Sequence, residues 1–475
     1  MESPSSIGEK SIHGLNLDWK RFVSDQTIDF MRHEIQALRD AGAKQPATTN
    51  MMYDFQGINY GKMAEFLDIV SWDSYPLWGK KEDVKVALDN GMQHDYMRSL
   101  KHRPFLLLES CPSATNWQGV SKLKKPGVLM NASLQSIAHG GDSVQYFQIR
   151  QSRGSSEKFH GSVIDHYGGA DTRVFREICQ VGRTLESLSE IAGSDVHAKA
   201  ALIYDIENRW ALEDAQRPRN DGLYYHEAAF KSYQALKHCG LDVDVIDMDQ
   251  KLDGYRIIAA PMLYMFRSDM EGKLREFVKN GGTLIMTYWS GIVNETDLCH
   301  LGGTPHGLTD VLGLRSEEID GLYDWEENTA EPAAENELGI VRPYTGKNLC
   351  DLVQLKGALA LMVYGSDFYA GRPALTKNTF GNGTAYYVCA DMEEAFYRDV
   401  YKKICERAGI RGLLEDVPEG ITVNSRENRE YQYLFIQNYR QEPVRVALPE
   451  GYEILAGEYE GAVAAMSTVV WKRRK

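Results

Sequence analysis

The chain has 475 residues, more than one ordinary domain contains, so about two to four domains are expected. Hydrophobic residues make up 43% and charged residues 25%, which is typical of a globular protein with a substantial core. The net charge of -14 argues against a nucleic-acid partner, because phosphate binding needs clustered Lys and Arg, and no run of about 18 apolar residues predicts a membrane span.

The first residues, MESPSSIGEKS, lack the apolar segment of a secretory signal, so we expect a cytoplasmic protein. Seven cysteines are scattered without CxxC pairs, which predicts reduced thiols rather than disulfides or a zinc site. No GxGxxG motif follows a strand, and GxxxxGK followed by Ser or Thr does not occur, so nothing points to a nucleotide. We expect no cofactor and no metal ion, because Glu157 and His160 at i and i+3 are two ligands and do not make a site.

The first region, residues 1–196, alternates helices with strands. A helix is predicted from Asp25 to Asp40, where apolar residues recur at helical spacing, and Gly42 ends it. Four strands follow, each succeeded by a helix: QPATTN (45–50), DIVSWDSYP (68–76), RPFLLLES (103–110) and DSVQYFQIR (142–150). This alternation predicts βαβ units and a parallel sheet, and the sequence indicates no fifth strand before residue 197.

The second region, residues 197–412, is also predicted to be a parallel α/β layer. Its strands are KAALIYD, LDVDVIDMD, YRIIAAPMLYM and TLIMTYWSG, with helices between them. Between Val293 and Asn378 the sequence is rich in glycine and acidic residues, and the segment 318–339 is predicted to be a long excursion. In the third region, residues 413–475, short antiparallel strands joined by charged turns predict a small β-sandwich.

Polar or aromatic side chains end each of the four strands of the first region. In chain order they are Asn50, then Asp73 and Tyr75, then Glu109, then Tyr146 and Phe147. In parallel βα architectures the carboxyl ends of the strands form the ligand site, so four such ends in register favour a site over isolated caps or core groups.

Trp117 lies eight residues after Glu109, a pairing of carboxylate and indole that sugar enzymes use. The acid attacks or stabilises an anomeric centre, and the indole offers an apolar face to the sugar's C–H surface. The segment 151–168 adds Glu157 and His160, whose charges and donors suit a ligand covered with hydroxyls. The alternative for this segment is a solvated loop with local salt bridges.

Five segments resemble, in the same order, the glycoside hydrolase family 42 β-galactosidases. They are TTNMM, VSWDSYP, PFLLLESCPSATNW, GGDSVQYFQIRQSRGSSEKFHG and YWSGIVNETDLCHLGGTPHGLTDVLG, and the likeness runs from Leu17 to about Val470. The resemblance implies a retaining exo-enzyme that removes terminal β-galactose from galactoside oligosaccharides. It also implies a (β/α)8 TIM barrel, a glutamine-amidotransferase-like α/β domain that builds a homotrimer, and a small β-sandwich.

The resemblance assigns six site residues. Glu109 is implied to be the catalytic nucleophile, Trp117 to lie beneath the galactose, Glu157 and His160 to hold its hydroxyls, and Tyr75 and Phe147 to line the same subsite.

The general acid is where the sequence departs from the family pattern. Retaining hydrolysis needs two carboxyl groups about 5 Å apart. In the family the acid belongs to an NE pair at the end of the fourth barrel strand, upstream of LDWKRF, which here begins at residue 17. The NE pair at 294–295 lies in the second region, so Glu295 is not a plausible substitute.

We therefore expect barrel strands 5–8 only, in a chain that carries the nucleophile without the acid/base and is impaired or inactive alone. Such a chain would be a truncated gene product, the result of a misassigned start codon, or one piece of a split protein. The alternative from another class is a non-catalytic sugar-binding or assembly remnant, because the second and third regions carry no recognisable catalytic set.

Overall fold

The structure of the protein is a computed structural model that describes residues 12–52, 55–80 and 82–475. In the first region, α1 (His13–Asp40) precedes a parallel sheet with the strand order β1-β2-β3-β4. The strands are β1 (Asn50–Met52), β2 (Ser71–Ser74), β3 (Phe105–Ser110) and β4 (Gly141–Val144), and the helices that follow them are α2 (Tyr60–Ala64), α3 (Asp83–Ser99), α4 (Val128–Ala138) and α5 (Arg173–Ser187). The prediction of four parallel strands is confirmed.

The apolar run before Glu109 forms β3 because both faces of this strand are covered. Phe105 and Leu107 are buried in a core with Trp72 and Met97, while the leucines between them are half-buried. The strands of a parallel sheet that is covered by helices on both faces typically have such continuous apolar sequences.

Helix α1 begins twelve residues earlier than its predicted start at Asp25. Leu17 is buried in the core of the second region, and Arg21 donates to Glu207 at 2.7 Å across the boundary between the regions. The extension is stabilised by this distant contact, which periodicity within the first region does not reveal.

The second region is α/β, and its predicted parallel layer is one part of a larger mixed sheet. Parallel strands lie in the order β6-β5-β7-β8, and β14 continues the sheet in parallel beside β8. The elements are β5 (Ala200–Ile203), α6 (Ile206–Asp214), α7 (Tyr225–His238), β6 (Val243–Ile246), β7 (Ile257–Ala260), α8 (Met270–Lys279), β8 (Thr283–Thr287), β14 (Gly383–Val388) and α9 (Glu394–Arg407).

The segment 318–339, predicted to be a long excursion, includes the end of one strand and the whole of another, which extend the same sheet and are separated by irregular stretches. The antiparallel part of the sheet contains β9 (Leu314–Gly321), β10 (Asn328–Pro332), β11 (Tyr344–Leu355), β12 (Leu359–Tyr364), β13 (Pro373–Phe380) and β15 (Ala390–Met392). In β10, Asn328 and Ala330 are buried while Thr329 and Glu331 are exposed. An antiparallel strand with one solvated face carries such acidic residues, and they obscured the strand pattern.

The third region forms two antiparallel sheets that share one core, as the prediction of short antiparallel strands requires. The first contains β16 (Ile421–Glu427), β17 (Tyr431–Asn438), β19 (Glu453–Ala456) and β21 (Ser467–Arg474), and the second pairs β18 (Val444–Arg445) with β20 (Ala462–Val463). Val463 of the second sheet packs with Ile436 and Trp471 of the first.

A buried polar cluster joins the three regions. Arg98 of α3 donates to Asp244 of β6 at 2.7 Å, Tyr233 of α7 donates to Asp95 of α3 at 2.6 Å, and Arg426 of β16 donates to the first carbonyl of β4 at 2.8 Å. Buried charges are stable only when paired, so this cluster holds the regions in one arrangement. Among the described residues, no helix combines the length and the apolar character that crossing a bilayer requires.

Candidate functional site

Glu109 lies near the carboxyl end of β3, where its carboxylate meets the loop after β2. The hydroxyl of Tyr75 donates a hydrogen bond to Oε2 of Glu109 at 2.7 Å. Burial and the neighbouring Glu109 carboxylate raise the pKa of Tyr75 well above its usual value, so this hydroxyl keeps its proton. Gln118 donates to the backbone carbonyl of Tyr75 at 3.0 Å and fixes the loop that carries the ring.

Four rings pack around this carboxylate. Tyr75 meets Trp117 edge to face with centroids 5.3 Å apart and meets His160 at 5.9 Å, while Phe147 meets His160 at 5.3 Å. Trp117 is 56% exposed although it belongs to this cluster. Its indole therefore presents an apolar face to solvent, which is the surface that a sugar ring can cover.

A close approach of two loops positions Glu157 and His160. The amide of Gly161 donates to the carbonyl of Ala114 at 2.7 Å, and a Cβ at Gly161 would lie 2.7 Å from the Ala114 nitrogen. Only glycine fits there. The contact holds His160 against the segment between Glu109 and Trp117, so the loop that carries it faces the same carboxylate.

His160 is buried, and the Cys111 thiol lies beside its ring, within reach of one ring nitrogen. Burial raises the pKa of this thiol, but His160 and Lys124 outweigh burial, and the net pKa lies below its ordinary value.

Asp73 is a second carboxyl group beside the nucleophile candidate. It is the register partner of Glu109 on β2, is buried, and accepts a hydrogen bond from Asn50 at 2.7 Å. Burial raises its pKa to about 6, opposed by the Asn50 hydrogen bond and helped by the Glu109 charge. Asp73 lies at a predicted strand end but is not among the predicted site residues, and that strand-end position is the signal that could have identified it.

The cluster opens into a cleft of about 1160 Å³ whose walls include Tyr75, Glu109, Trp117, Phe147 and Glu157. With His160 packed behind Tyr75 and Phe147, the structure brings all six predicted residues together. Of the strand-end residues, Tyr146 points elsewhere, since its hydroxyl bonds to Ser133 of α4 at 2.7 Å.

The cluster can hold a polyhydroxylated ligand and present a carboxylate to it. Carboxylates accept hydrogen bonds from hydroxyls, the imidazole of His160 offers a ring nitrogen, and the indole offers an apolar face. Within the described ranges, no group of three or more His, Cys, Asp and Glu side chains is placed to hold a metal ion.

Three family descriptions match the chain. Residues 1–188 match "Beta-galactosidase", residues 198–411 match "Beta-galactosidase trimerisation domain", and residues 420–473 match "Beta-galactosidase C-terminal domain", all three of the glycoside hydrolase 42 group.

Among curated relatives, the chain is 50% identical over 468 residues to β-galactosidase BglY of Alicyclobacillus acidocaldarius. The matched region covers 98% of this chain and 68% of the relative. It is 45% identical to β-galactosidase Pbg of Clostridium perfringens, covering 93% of this chain and 65% of the relative. The chain thus spans about two thirds of the length of these relatives.

Solved structures of β-galactosidases are also similar to this chain. The cold-adapted β-galactosidase from Rahnella sp. R3 superposes with a TM-score of 0.97 at 46% identity, covering 100% of this chain and 70% of that one. Gan42B, described as a GH42 β-galactosidase, superposes with a TM-score of 0.95 at 41% identity, again covering 100% of this chain and 70% of that one.

Proposed function

The chain belongs to glycoside hydrolase family 42, the β-galactosidases, and from that premise we propose that it hydrolyses β-galactosides by removing the terminal non-reducing β-D-galactose. The observation that carries the proposal is the Glu109 carboxylate, held by Tyr75 at 2.7 Å inside the cleft that Trp117 and Phe147 line. The substrates that we propose are β-galactoside oligosaccharides.

The reaction that this arrangement supports is a double displacement. Glu109 attacks the anomeric carbon and forms a covalent galactosyl ester as the leaving oxygen departs, and water then hydrolyses the ester with retention of configuration. The Tyr75 hydroxyl holds the carboxylate in one orientation for attack. Trp117 covers the apolar face of the galactose.

The polar groups around the carboxylate support a ligand rich in hydroxyls. His160 is buried, and the Cys111 thiol can pair with only one of its two ring nitrogens, so the other is unfavourable unless a ligand or water satisfies it. We assign His160 and Glu157 to the galactose hydroxyls, and Tyr75 and Phe147 to the walls of that subsite.

The architecture that we propose follows from the family. The four-stranded parallel sheet corresponds to strands 5–8 of a (β/α)8 barrel, and the second region assembles the protein as a homotrimer. The test is light scattering coupled to size-exclusion chromatography. We expect a mass three times the 53.7 kDa of the chain, and a monomer would contradict the assembly.

We propose further that the general acid is not among these 475 residues. Glu295 is not positioned for it, because its backbone carbonyl is bound by Arg21 of α1 at 2.8 Å, in the contact between α1 and the second region. Asp73 is the other carboxyl group beside Glu109, on the neighbouring strand, and its carboxylate already accepts a hydrogen bond from Asn50 at 2.7 Å.

The experiment compares two leaving groups on the purified chain. The dinitrophenolate of a dinitrophenyl galactoside departs without protonation, so this substrate should react. Hydrolysis of lactose should be slower by the roughly 10² to 10⁴-fold that positioned acid catalysis contributes. Glu109→Gln should abolish both reactions, and Glu295→Gln is the matched control that should change neither. Full activity of Glu109→Gln would refute the nucleophile.

The Asp73→Asn variant tests whether Asp73 is the general acid or whether the acid lies outside the chain. If this variant loses activity on lactose but keeps it on the dinitrophenyl galactoside, Asp73 is the acid and our placement of the acid outside the chain is wrong. Binding of galactose without turnover of either substrate would instead support the non-catalytic sugar-binding alternative.

A further inference from the structure

Two of the seven cysteines meet where α7 packs against α9 in the second region. All seven are free thiols in the structure. Cys239 ends α7, Cys405 lies in the last turn of α9, and the Cys405 thiol donates a hydrogen bond to the Cys239 sulfur. The contact joins residues that are far apart in the chain and show no CxxC spacing, so it arises from tertiary packing alone.

The packing of the two helices fixes the register of these thiols. The Tyr401 hydroxyl of α9 donates to the Ser232 hydroxyl of α7 at 2.9 Å, and both residues are buried. Cys405 follows Tyr401 by four residues and therefore lies on the same face of α9. Tyr401 is within electrostatic range of both thiols. The buried hydrogen bond between the helices thus keeps the two sulfur atoms facing each other.

The end of α7 can adjust to a new bond at Cys239. The Gly240 amide donates to the Lys237 carbonyl at 2.9 Å and the Leu241 amide donates to the Leu236 carbonyl at 3.3 Å, which is the Schellman pattern of a helix end. Gly240 has a φ of 73°, the left-handed conformation that this cap requires. Helix ends fray more readily than helix interiors, so the backbone at Cys239 can shift toward disulfide geometry.

The chain segment that leads to the third region packs on this cap. The Leu413 amide donates to the Gly240 carbonyl at 2.8 Å. A Cβ at Gly412 would lie 2.1 Å from the Cys239 carbonyl oxygen, so the segment passes directly over the end of α7. A covalent link between the two thiols would therefore tie α9 to the helix end on which this segment rests.

The two thiols differ in exposure and in protonation. Cys239 is half-buried, whereas Cys405 is 3% exposed, so a small oxidant in solution reaches Cys239 first. The hydrogen bond to Cys239 and burial raise the pKa of the Cys405 thiol well above its usual value, so this thiol keeps its proton. Cys239 is then the thiol that meets the oxidant, and Cys405 is the thiol that closes the bond.

We propose that Cys239 and Cys405 form a redox-active dithiol that a hydroperoxide converts into a disulfide. The Cys239 sulfur attacks the peroxide, the O–O bond breaks, and Cys239 becomes a sulfenic acid while its proton leaves with the departing oxygen as water or an alcohol. The Cys405 sulfur then attacks the Cys239 sulfur, the S–O bond breaks, and the Cys405 proton leaves with the hydroxyl as water. The thiols lose two electrons, the peroxide gains them, and a thiol reductant reverses the bond.

The disulfide should stabilise the second region. It would close a loop over residues 239–405, and disulfides stabilise mainly by restricting the unfolded chain, more so for longer loops. From the typical contribution of one disulfide and the unfolding entropy of a domain of this size, the melting temperature should rise by about 4 to 16 °C. Neither thiol lines the cleft around Glu109, so the inference does not depend on the proposed function.

The test treats the purified protein with hydrogen peroxide well below its melting temperature, blocks the remaining thiols with an alkylating agent, and maps tryptic peptides without reduction. We expect residues 238–251 linked to residues 404–407, together with the higher melting temperature, and dithiothreitol should remove both. Cys239→Ser should show neither the link nor the rise. Cys179→Ser is the matched control, because it removes an exposed thiol of α5, and it should keep both.

A second pair of neighbouring thiols provides an internal comparison. Cys350 and Cys389 also lie near each other, but both are fully buried and out of reach of an oxidant in solution. A link between these two in place of the expected one, or a link through Cys239 between two chains, would overturn the proposal. Oxidation of Cys239 to a sulfinic acid while Cys405 stays reduced would also overturn it, because the second thiol would then have failed to close the bond.

Discussion

Replacing Tyr75 with Phe should slow galactoside cleavage without unfolding the protein. The change deletes the hydroxyl that donates to Glu109 at 2.7 Å and keeps the ring that packs on Trp117. A hydrogen bond to a charged group contributes about 1.5–3 kcal/mol. Since each 1.36 kcal/mol is about a tenfold change in rate, kcat/KM on a dinitrophenyl galactoside should fall by about 10- to 150-fold.

The matched control is Tyr146→Phe, which deletes a hydroxyl bonded to Ser133 at the same 2.7 Å but outside the cleft. It should leave kcat/KM within about twofold, because only a structural hydrogen bond of about 1 kcal/mol is lost. The assay is initial-rate kinetics together with a thermal melt of each variant. Unchanged kinetics in Tyr75→Phe, or equal losses in both variants, would refute the argument that this hydroxyl orients the nucleophile.

Three other predictions follow from the contacts described above. Arg98→Met leaves Asp95 and Asp244 without a buried guanidinium and should lower the free energy of unfolding by about 3–5 kcal/mol in a denaturant titration; a change below about 1 kcal/mol would contradict the role of the cluster. The pKa of Asp73 is raised from 3.8 to about 6, so the contribution of this carboxyl group to stability is complete below pH 3.8 and decreases as the pH rises through about 6. Thermal melts of Asp73→Asn should lack that decrease, and an identical pH profile would count against it. Trp117→Ala should raise KM for galactosides while leaving the melting temperature nearly unchanged, because the indole is 56% exposed.

The first region's sheet and site could be predicted because they depend on local sequence. Apolar runs flanked by helices predict parallel strands, and the carboxyl ends of such strands share one edge. That rule predicts that Tyr75, Glu109 and Phe147 lie near one another, and in the structure all three line one cleft. It also included Tyr146, because a sequence does not show to which face of the last strand the backbone turns.

Features that depend on distant contacts could not be predicted. The first turns of α1 are stabilised by α6 of the second region, and the acid-rich β9 and β10 are strands because β11 pairs with both of them. The hydrogen bond between His226 of α7 and Asp89 of α3 was not predicted for the same reason, since the two helices belong to different regions and meet only through tertiary packing.

The most direct measurement of the central assignment is covalent trapping with an activated 2-deoxy-2-fluoro-β-galactoside. The fluorine slows hydrolysis of the galactosyl ester, and the good leaving group needs no general acid, so the intermediate accumulates. Peptide mass spectrometry should show one fluorogalactosyl group on Glu109, together with time-dependent loss of activity, and no label on the Glu109→Gln protein. A label on any other residue, or turnover without a label, would contradict Glu109 as the nucleophile.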